Sequence, residues 1–213
     1  MCNLYAQKAG PQAIIKAAKA ARNAAGNLEP GKIYPDYAAP IVRMEGDERI
    51  LTTARWGMPS PAFALKGKKT DKGVTNVRNT SSPHWRRWLA PEFRCLVPFT
   101  SFSEPGRDAD GKYQPVWFAL KDADPEAPAF FAGIWLPQWT GVRKLKEGEV
   151  TIDLCAFLTT EPSEPVKSVH PKAMPVILTK PDELERWMTE EWQLAKELQR
   201  PLSDGALQAR SAH

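Results

Sequence analysis

Four apolar runs dominate the middle of the chain: Arg94 to Ser103, Tyr113 to Leu120, Ala129 to Trp135 and Val150 to Thr159. Each has the length of a strand, is rich in aromatic and β-branched residues, and is bounded by proline, glycine or charged residues. The second and third are too apolar to lie at a sheet edge. Twenty prolines and eight tryptophans point the same way, toward short elements, ordered loops and aromatic packing. Many short strands with few helices predict an α+β chain, its core a mostly antiparallel, barrel-like sheet with helices at the periphery. A length of 213 residues suits a single domain spanning 1–213, with about 201–213 as a frayed polar tail.

The flanking segments add detail. Pro11 to Ala25 reads as a helix with Ile14, Ile15, Ala18 and Ala21 on one face. Glu29 to Pro40 reads as an ordered loop, and Ile41–Met44 with Arg49–Trp56 as a hairpin around Glu45-Gly46-Asp47. Leu65 to Gly73, rich in lysine and glycine, is expected to be a mobile loop. Val74 to Arg78 is a short strand with Asn76 and Arg78 on one side. Ser82-Pro83 starts a helix through Trp85 and Trp88. Glu104 precedes an expected Pro105-Gly106 turn, and a loop from Glu161 to Lys167 leads to His170. Pro175 to Thr179 is a last strand, and Pro181 to Leu198 is the clearest helix, its Trp187 and Met188 read as core.

No apolar run reaches the roughly 18 residues that span a membrane, and Lys8, Lys16 and Lys19 interrupt any signal-peptide core, so a cytoplasmic protein is expected. Cys2, Cys95 and Cys155 have neither metal-ligand spacing nor an even number, which argues against zinc and a disulfide framework. Cys95 and Cys155 lie in strand-like runs and read as core. A net charge of +4 is mild, but Arg78, Arg86, Arg87 and Arg94 cluster near Trp85 and Trp88.

Cys2 differs from the other two cysteines. Removal of Met1 would leave it with a thiol and an α-amine on adjacent carbons, both nucleophilic near neutral pH. That pair closes on an aldehyde as a five-membered thiazolidine, which an internal cysteine cannot do. Asn76, Glu104 and His170 each stand at the end of a strand-like run, where a sheet converges side chains on a cleft. Each also has a structural alternative: Cys2 a small buried hydrophobe, Asn76 a turn cap, Glu104 a solvated residue, His170 a loop hydrogen-bonder.

Taken in order, Met1-Cys2, Ala54-Arg55-Trp56-Gly57-Met58-Pro59, Asn76-Val77-Arg78-Asn79, Arg94-Cys95-Leu96-Val97-Pro98, Phe99 to Glu104, Phe157-Leu158-Thr159-Thr160 and His170 before Met174-Pro175 resemble the SOS response-associated peptidase (SRAP) family of abasic-site processing proteins. The resemblance spans nearly the whole chain. It implies a barrel-like fold and a monomer that recognises abasic sites in single-stranded DNA, at the nucleoid upon damage, and crosslinks to them through Cys2 without metal or organic cofactor. By motif position, Cys2 is the nucleophile and Asn76 holds it or the opened sugar. Glu104 is the acid/base, and His170 protonates the opened sugar or leaving oxygen. Arg78 contacts phosphate, with Trp56, Pro59, Phe63, Arg86, Arg87 and Lys172 completing a DNA surface. Strand cleavage as a lyase, and autoproteolysis, are further activities it implies.

Departures from the family pattern fall on the DNA side. Asn3-Leu4 stands where many members have Gly-Arg, Phe63 stands where some have paired tryptophans, and His170-Pro171-Lys172-Ala173-Met174-Pro175 is one residue longer than the usual motif, with lysine for arginine. Two other functions compete: a cysteine peptidase built on Cys2 and His170, and a non-covalent single-strand-binding module built on the arginines and tryptophans.

Overall fold

The computed structural model describes residues 2–107 and 110–210. In chain order these form β1 (Leu4–Gln7), α1 (Pro11–Ala18), β2 (Arg22–Asn23), β3 (Gly31–Ile33), β4 (Ala38–Glu45), β5 (Glu48–Trp56), α2 (Ala62–Leu65), β6 (Asn76–Val77) and α3 (Pro83–Arg86). They continue with β7 (Arg94–Phe99), β8 (Ser101–Arg107), β9 (Tyr113–Leu120), β10 (Ala129–Val142), β11 (Glu149–Thr160), α4 (Val166–Val169), β12 (Met174–Pro175), β13 (Ile177–Leu178), α5 (Pro181–Thr189), α6 (Trp192–Ala195) and β14 (Leu207–Arg210).

Strands β11, β10, β7, β4 and β5 pair in that order, and β11 pairs back to β5 in parallel through Leu154↔Arg55 and Cys155↔Trp56, which closes a five-stranded barrel. A second, antiparallel sheet runs β14-β9-β8-β1-β3. Alternation along the barrel strands divides the core. Leu96, Phe130, Ala132, Ala156 and Leu158 face a cluster that includes Trp187 and the side chains of α1. Val97, Phe99, Phe131, Cys155 and Phe157 face the second sheet's Tyr5, Phe102 and Phe118. There Phe99 stacks on Phe131 at 3.9 Å, and Tyr5 meets Trp56 edge-on at 5.1 Å. Cys95 and Cys155 are core residues, as their strands implied.

The expected barrel-like α+β architecture is present, and local departures have identifiable causes. The run Arg94 to Ser103 is two strands, because at Thr100 the chain leaves the barrel for the second sheet. The Thr100 N–H and hydroxyl both donate to the Ala6 carbonyl, at 2.8 and 3.1 Å. Pro105-Gly106 is not a turn but the continuation of β8, where Pro105 lies opposite Pro115, so neither position needs an N–H. A Cβ on Gly106 would lie 2.6 Å from Val116 Cγ2, so the close approach of β8 and β9 requires glycine there.

The first helix ends at Ala18, short of the expected Ala25. Lys19 turns left-handed at φ 52°, and the N–H groups of Ala21 and Ala24 donate to Arg49 and Leu51 carbonyls of β5, at 2.7 Å each. The segment Glu29 to Pro40 contains β3 and the start of β4 rather than loop alone. The C-terminal helix begins as read, with Pro181 in its first turn and Glu183 Oε2 accepting from Thr179 N at 2.9 Å. It breaks after Thr189, where the buried Arg94 guanidinium donates to the Trp187 carbonyl at 2.7 Å and to that of Glu190. Its Trp187 and Met188 are core residues. The expected frayed tail contains β14, which pairs with β9 from Leu207↔Leu120 to Arg210↔Trp117; residues 211–213 lie outside the described residues. No helix among the described residues is long and apolar enough to cross a membrane.

Candidate active site

Strand pairing brings the four expected catalytic residues to one place. The β1–β8 register sets Leu4 opposite Ser103, so Cys2 and Glu104 lie just beyond it at the same end of the pair. β6 runs parallel to β11 with Asn76 opposite Phe157, which brings Asn76 to the N-terminal segment, where its Nδ2 donates to the Cys2 carbonyl at 2.8 Å and to Thr75 Oγ1 at 2.8 Å. The Asn76 Oδ1 is buried and accepts no hydrogen bond from the described residues. α4 delivers His170 at its C-terminal end, with Nδ1 3.2 Å from Glu104 Oε2 and 3.0 Å from the Ala173 carbonyl. A carbonyl only accepts, so this network assigns the ring proton to Nδ1 and leaves Nε2 as the basic nitrogen of the neutral ring.

Burial dominates the electrostatics. Cys2 is 1 % exposed and its Sγ donates to the Leu4 carbonyl at 3.5 Å. Desolvation first, and the charge of Glu104 second, push the thiol well above its ordinary range and keep it protonated. Glu104 is also 1 % exposed, and burial raises its carboxyl from 4.5 to about 7. Burial lowers His170, against the hydrogen bond to Ala173, and Lys172 lowers it further. The buried cluster thus holds a carboxyl raised to about 7 beside a protonated thiol. Met1, whose removal this chemistry requires, lies outside the described residues.

The residues expected to contact DNA separate into two groups. Arg78, Arg86, Arg87 and Lys172 are exposed, and Phe63 on α2 is 84 % exposed. Arg78 pairs with Glu161 at 3.3 Å, Arg86 Nε donates to the Ser81 carbonyl at 3.0 Å, and the Arg87 guanidinium sits 5.2 Å from the Trp88 ring. Asn76 and Arg78 do not share a side, since β6 ends at Val77 and only Asn76 turns inward. Trp56 is displaced from the expected surface. It is 1 % exposed, stacks on Phe157 at 5.2 Å and donates through Nε1 to the Thr75 carbonyl at 3.0 Å, so its ring braces the site from within. Pro59 is half-buried and accepts from His84 Nε2 at 2.9 Å. Trp85 and Trp88 belong to the core.

Two contributors carried no sequence signal. Ala173 acts through its carbonyl, which fixes the His170 ring, and backbone acceptors leave no trace in residue type. Arg143, with a fully buried side chain, donates to the carbonyls of Asp71 at 3.0 Å and Gly57, pinning both ends of the segment that carries Phe63. Its position just after β10, in a charged stretch, reads like any solvated arginine. Among the described residues no group of three His, Cys, Asp or Glu side chains is placed to hold a metal.

The chain's fold matches a protein of Bordetella bronchiseptica with a TM-score of 0.73 and 23 % identity, each chain covered in full. A Bacteroides thetaiotaomicron protein matches with a TM-score of 0.72 and 20 % identity over 98 % of this chain and 90 % of that one. A phage-related protein of Bordetella bronchiseptica matches at 0.69 and 20 %, over 100 % and 94 %. No curated protein sequence matches significantly. The model of the SOS response associated peptidase family matches residues 1–212, and the chain belongs to that family.

Proposed function

We propose that this protein captures abasic sites in single-stranded DNA as a covalent thiazolidine on Cys2, after Met1 is removed. Family membership supports a role in DNA-damage-associated abasic-site processing. The observation that carries the finer reading is Glu104, a buried carboxyl raised to about 7 whose charge acts on the Cys2 thiol. The α-amine adds to the aldehyde carbon of the ring-opened sugar, forming a C–N bond and a carbinolamine. Protonated Glu104 gives its proton to the departing hydroxyl, which leaves as water and creates the iminium, the amine's remaining hydrogen staying on nitrogen. The thiol then passes its proton to the Glu104 carboxylate as sulfur bonds to the iminium carbon, which restores the protonated carboxyl and leaves a neutral N–H in the ring. One water is released and nothing is oxidised or reduced. Each transfer is worth on the order of 10² to 10⁴ in rate.

His170 serves the ring opening through its neutral ring: Nε2 takes the proton of the sugar's anomeric hydroxyl, and the imidazolium so formed, made the stronger acid by its lowered pKa, gives a proton to the departing ring oxygen. Asn76 holds the Cys2 carbonyl and so the direction in which amine and thiol are presented. Arg78, Arg86, Arg87 and Lys172 supply phosphate contacts, and Phe63 a stacking surface, for a protein acting as a monomer. The imine stage also allows strand cleavage by β-elimination, the lyase side of the same reading. A thiol peptidase requires a thiolate, and burial moves the Cys2 thiol in the opposite direction.

Intact mass spectrometry tests the proposal. The purified protein should lack Met1 and, with a single-stranded oligonucleotide bearing one abasic site, gain the oligonucleotide mass less one water, with no adduct from Cys2→Ala. A retained Met1, or an adduct that survives blocking of the α-amine, would rule it out.

A further inference from the structure

The second sheet has a face turned away from the barrel, partly buried and partly open, whose composition the chemistry above does not use. On β1, Tyr5 points into the core, whereas Ala6 lies opposite Lys32 on β3 and Ser101 on β8, with Ser103 opposite Trp117 and Trp117 opposite Arg210. Phe102 and Glu104 alternate to the other face, so this surface is turned away from the candidate active site. A cavity of about 200 Å³ opens here, lined by Lys8, Lys32, Arg210, Thr100, Ser101 and Trp117 among others, and by no aspartate or glutamate.

Three cations line this cavity with no acid in its own lining, Asp124 belonging to the adjoining cavity that shares Thr100, Pro125 and Arg210, whereas Arg22, Arg49, Arg55, Arg78 and Arg186 are all paired with carboxylates. Lys8, Lys32 and Arg210 have no such partner among the described residues. Lys32 Nζ lies 5.4 Å from the centroid of the Trp117 ring, which holds the ammonium at the cavity. The Thr100 hydroxyl is spent on the Ala6 carbonyl, but the Ser101 hydroxyl makes no hydrogen bond to the described residues and is available as a donor. A concentration of positive charge with a free hydroxyl suits an anion of more than one charge. The volume equals about seven waters at roughly 30 Å³ each, below the roughly 300 Å³ at which sites for larger ligands begin. It is large enough for a phosphoryl group, with whatever carries that group extending through the opening.

We propose that the cavity formed by Lys8, Lys32, Ser101, Trp117 and Arg210 is a binding site for a phosphoryl group, either free phosphate or the terminal monoester of a nucleic-acid strand. The inference stands apart from the crosslinking chemistry and does not depend on it. Calorimetric titration of the full chain with inorganic phosphate should show saturable binding at one site. Lys32→Ala/Arg210→Ala should weaken it at least tenfold, while Arg22→Ala, a charge removed elsewhere on the surface, should leave it unchanged. Lys32 is exposed and Arg210 half-buried, so the double variant should keep the wild-type melting temperature, which separates loss of binding from loss of fold. A 5′-phosphorylated oligonucleotide that binds more tightly than its unphosphorylated twin, with the difference lost in the double variant, identifies the strand terminus as the source. Equal binding of the two strands alongside saturable phosphate binding identifies the free anion. Absence of saturable phosphate binding, or equal affinity in wild type and double variant, would overturn the site.

Discussion

Glu104 binds its proton more tightly in the folded chain than in the unfolded one, which ties the proposed chemistry to stability. Between pH 4.5 and about 7 the folded state holds the extra proton, so this group's contribution is full below 4.5 and is lost as pH rises to about 7. A rise of that size corresponds to about 3 kcal/mol. Glu104→Gln, which keeps the neutral shape, should flatten this part of the pH profile and make the variant more stable than wild type at pH 8, as read from urea midpoints. His170 acts in the opposite sense: its lowered pKa removes stability as pH falls below 6.5, so His170→Gln, which removes that titration, should tilt the profile in the direction opposite to Glu104→Gln. The same Glu104→Gln should slow adduct formation on the order of 10²-fold. Asn76→Ala releases the Cys2 carbonyl and should slow it by a similar factor through misplacement, with a stability change of only about 1 kcal/mol, because its Oδ1 loses no described partner.

The elements around the site are held by a few buried ionic anchors. Arg143 ties Gly57 to Asp71 across the segment bearing Phe63 and packs 4.8 Å from the Trp139 ring, with Asp71 and Asp36 carboxylates at 3.8 Å. Arg143→Ala leaves the buried Asp71 without this cation and should destabilise the protein by about 3 to 5 kcal/mol. Proteolysis should then begin in residues 57–73 before the barrel is cut. Strand β14 is the second case. Truncation after Asp204 removes its ladder to β9 and the buried Leu207, and should lower the melting temperature measurably while leaving Cys2 and Asn76 in place. Each case shows why element boundaries escaped the sequence. The ends of α1 and α5 are set by partners, β5 and Arg94, that lie far away in the chain.

Across the whole molecule, a net charge of +4 understates the positive surface, since Arg78, Arg86, Arg87 and Lys172 are exposed together with Phe63. Binding to intact single-stranded DNA should weaken with salt, and each of these cations replaced by alanine should reduce the log–log slope by about 0.7 if it contacts one phosphate. Arg78→Ala is the most informative, because its pairing with the exposed Glu161 is a weak surface contact that DNA can displace.

The barrel-like class was legible in the spacing of short apolar runs, since alternation and turn residues act locally. The order of Met1-Cys2, Asn76, Glu104 and His170 likewise marked the family, and the fold brings Cys2, Asn76, Glu104 and His170 together. Burial was not legible, because it depends on which strands become neighbours. Trp56 belongs to the core and not to a DNA surface because β5 closes the barrel against β11. Pro105-Gly106 extends a strand because Pro115 lies opposite. The amino-acid sequence by itself therefore determined the barrel-like class, most of its longer strands and the residues from which the site is proposed, through local periodicity and residue chemistry, but not the short strands β1, β2, β3 and β14. Only the tertiary structure decided that Glu104 would titrate near neutrality beside a protonated thiol, and that three unpaired cations would meet around one cavity, because desolvation and charge convergence arise from contacts between residues distant in the chain.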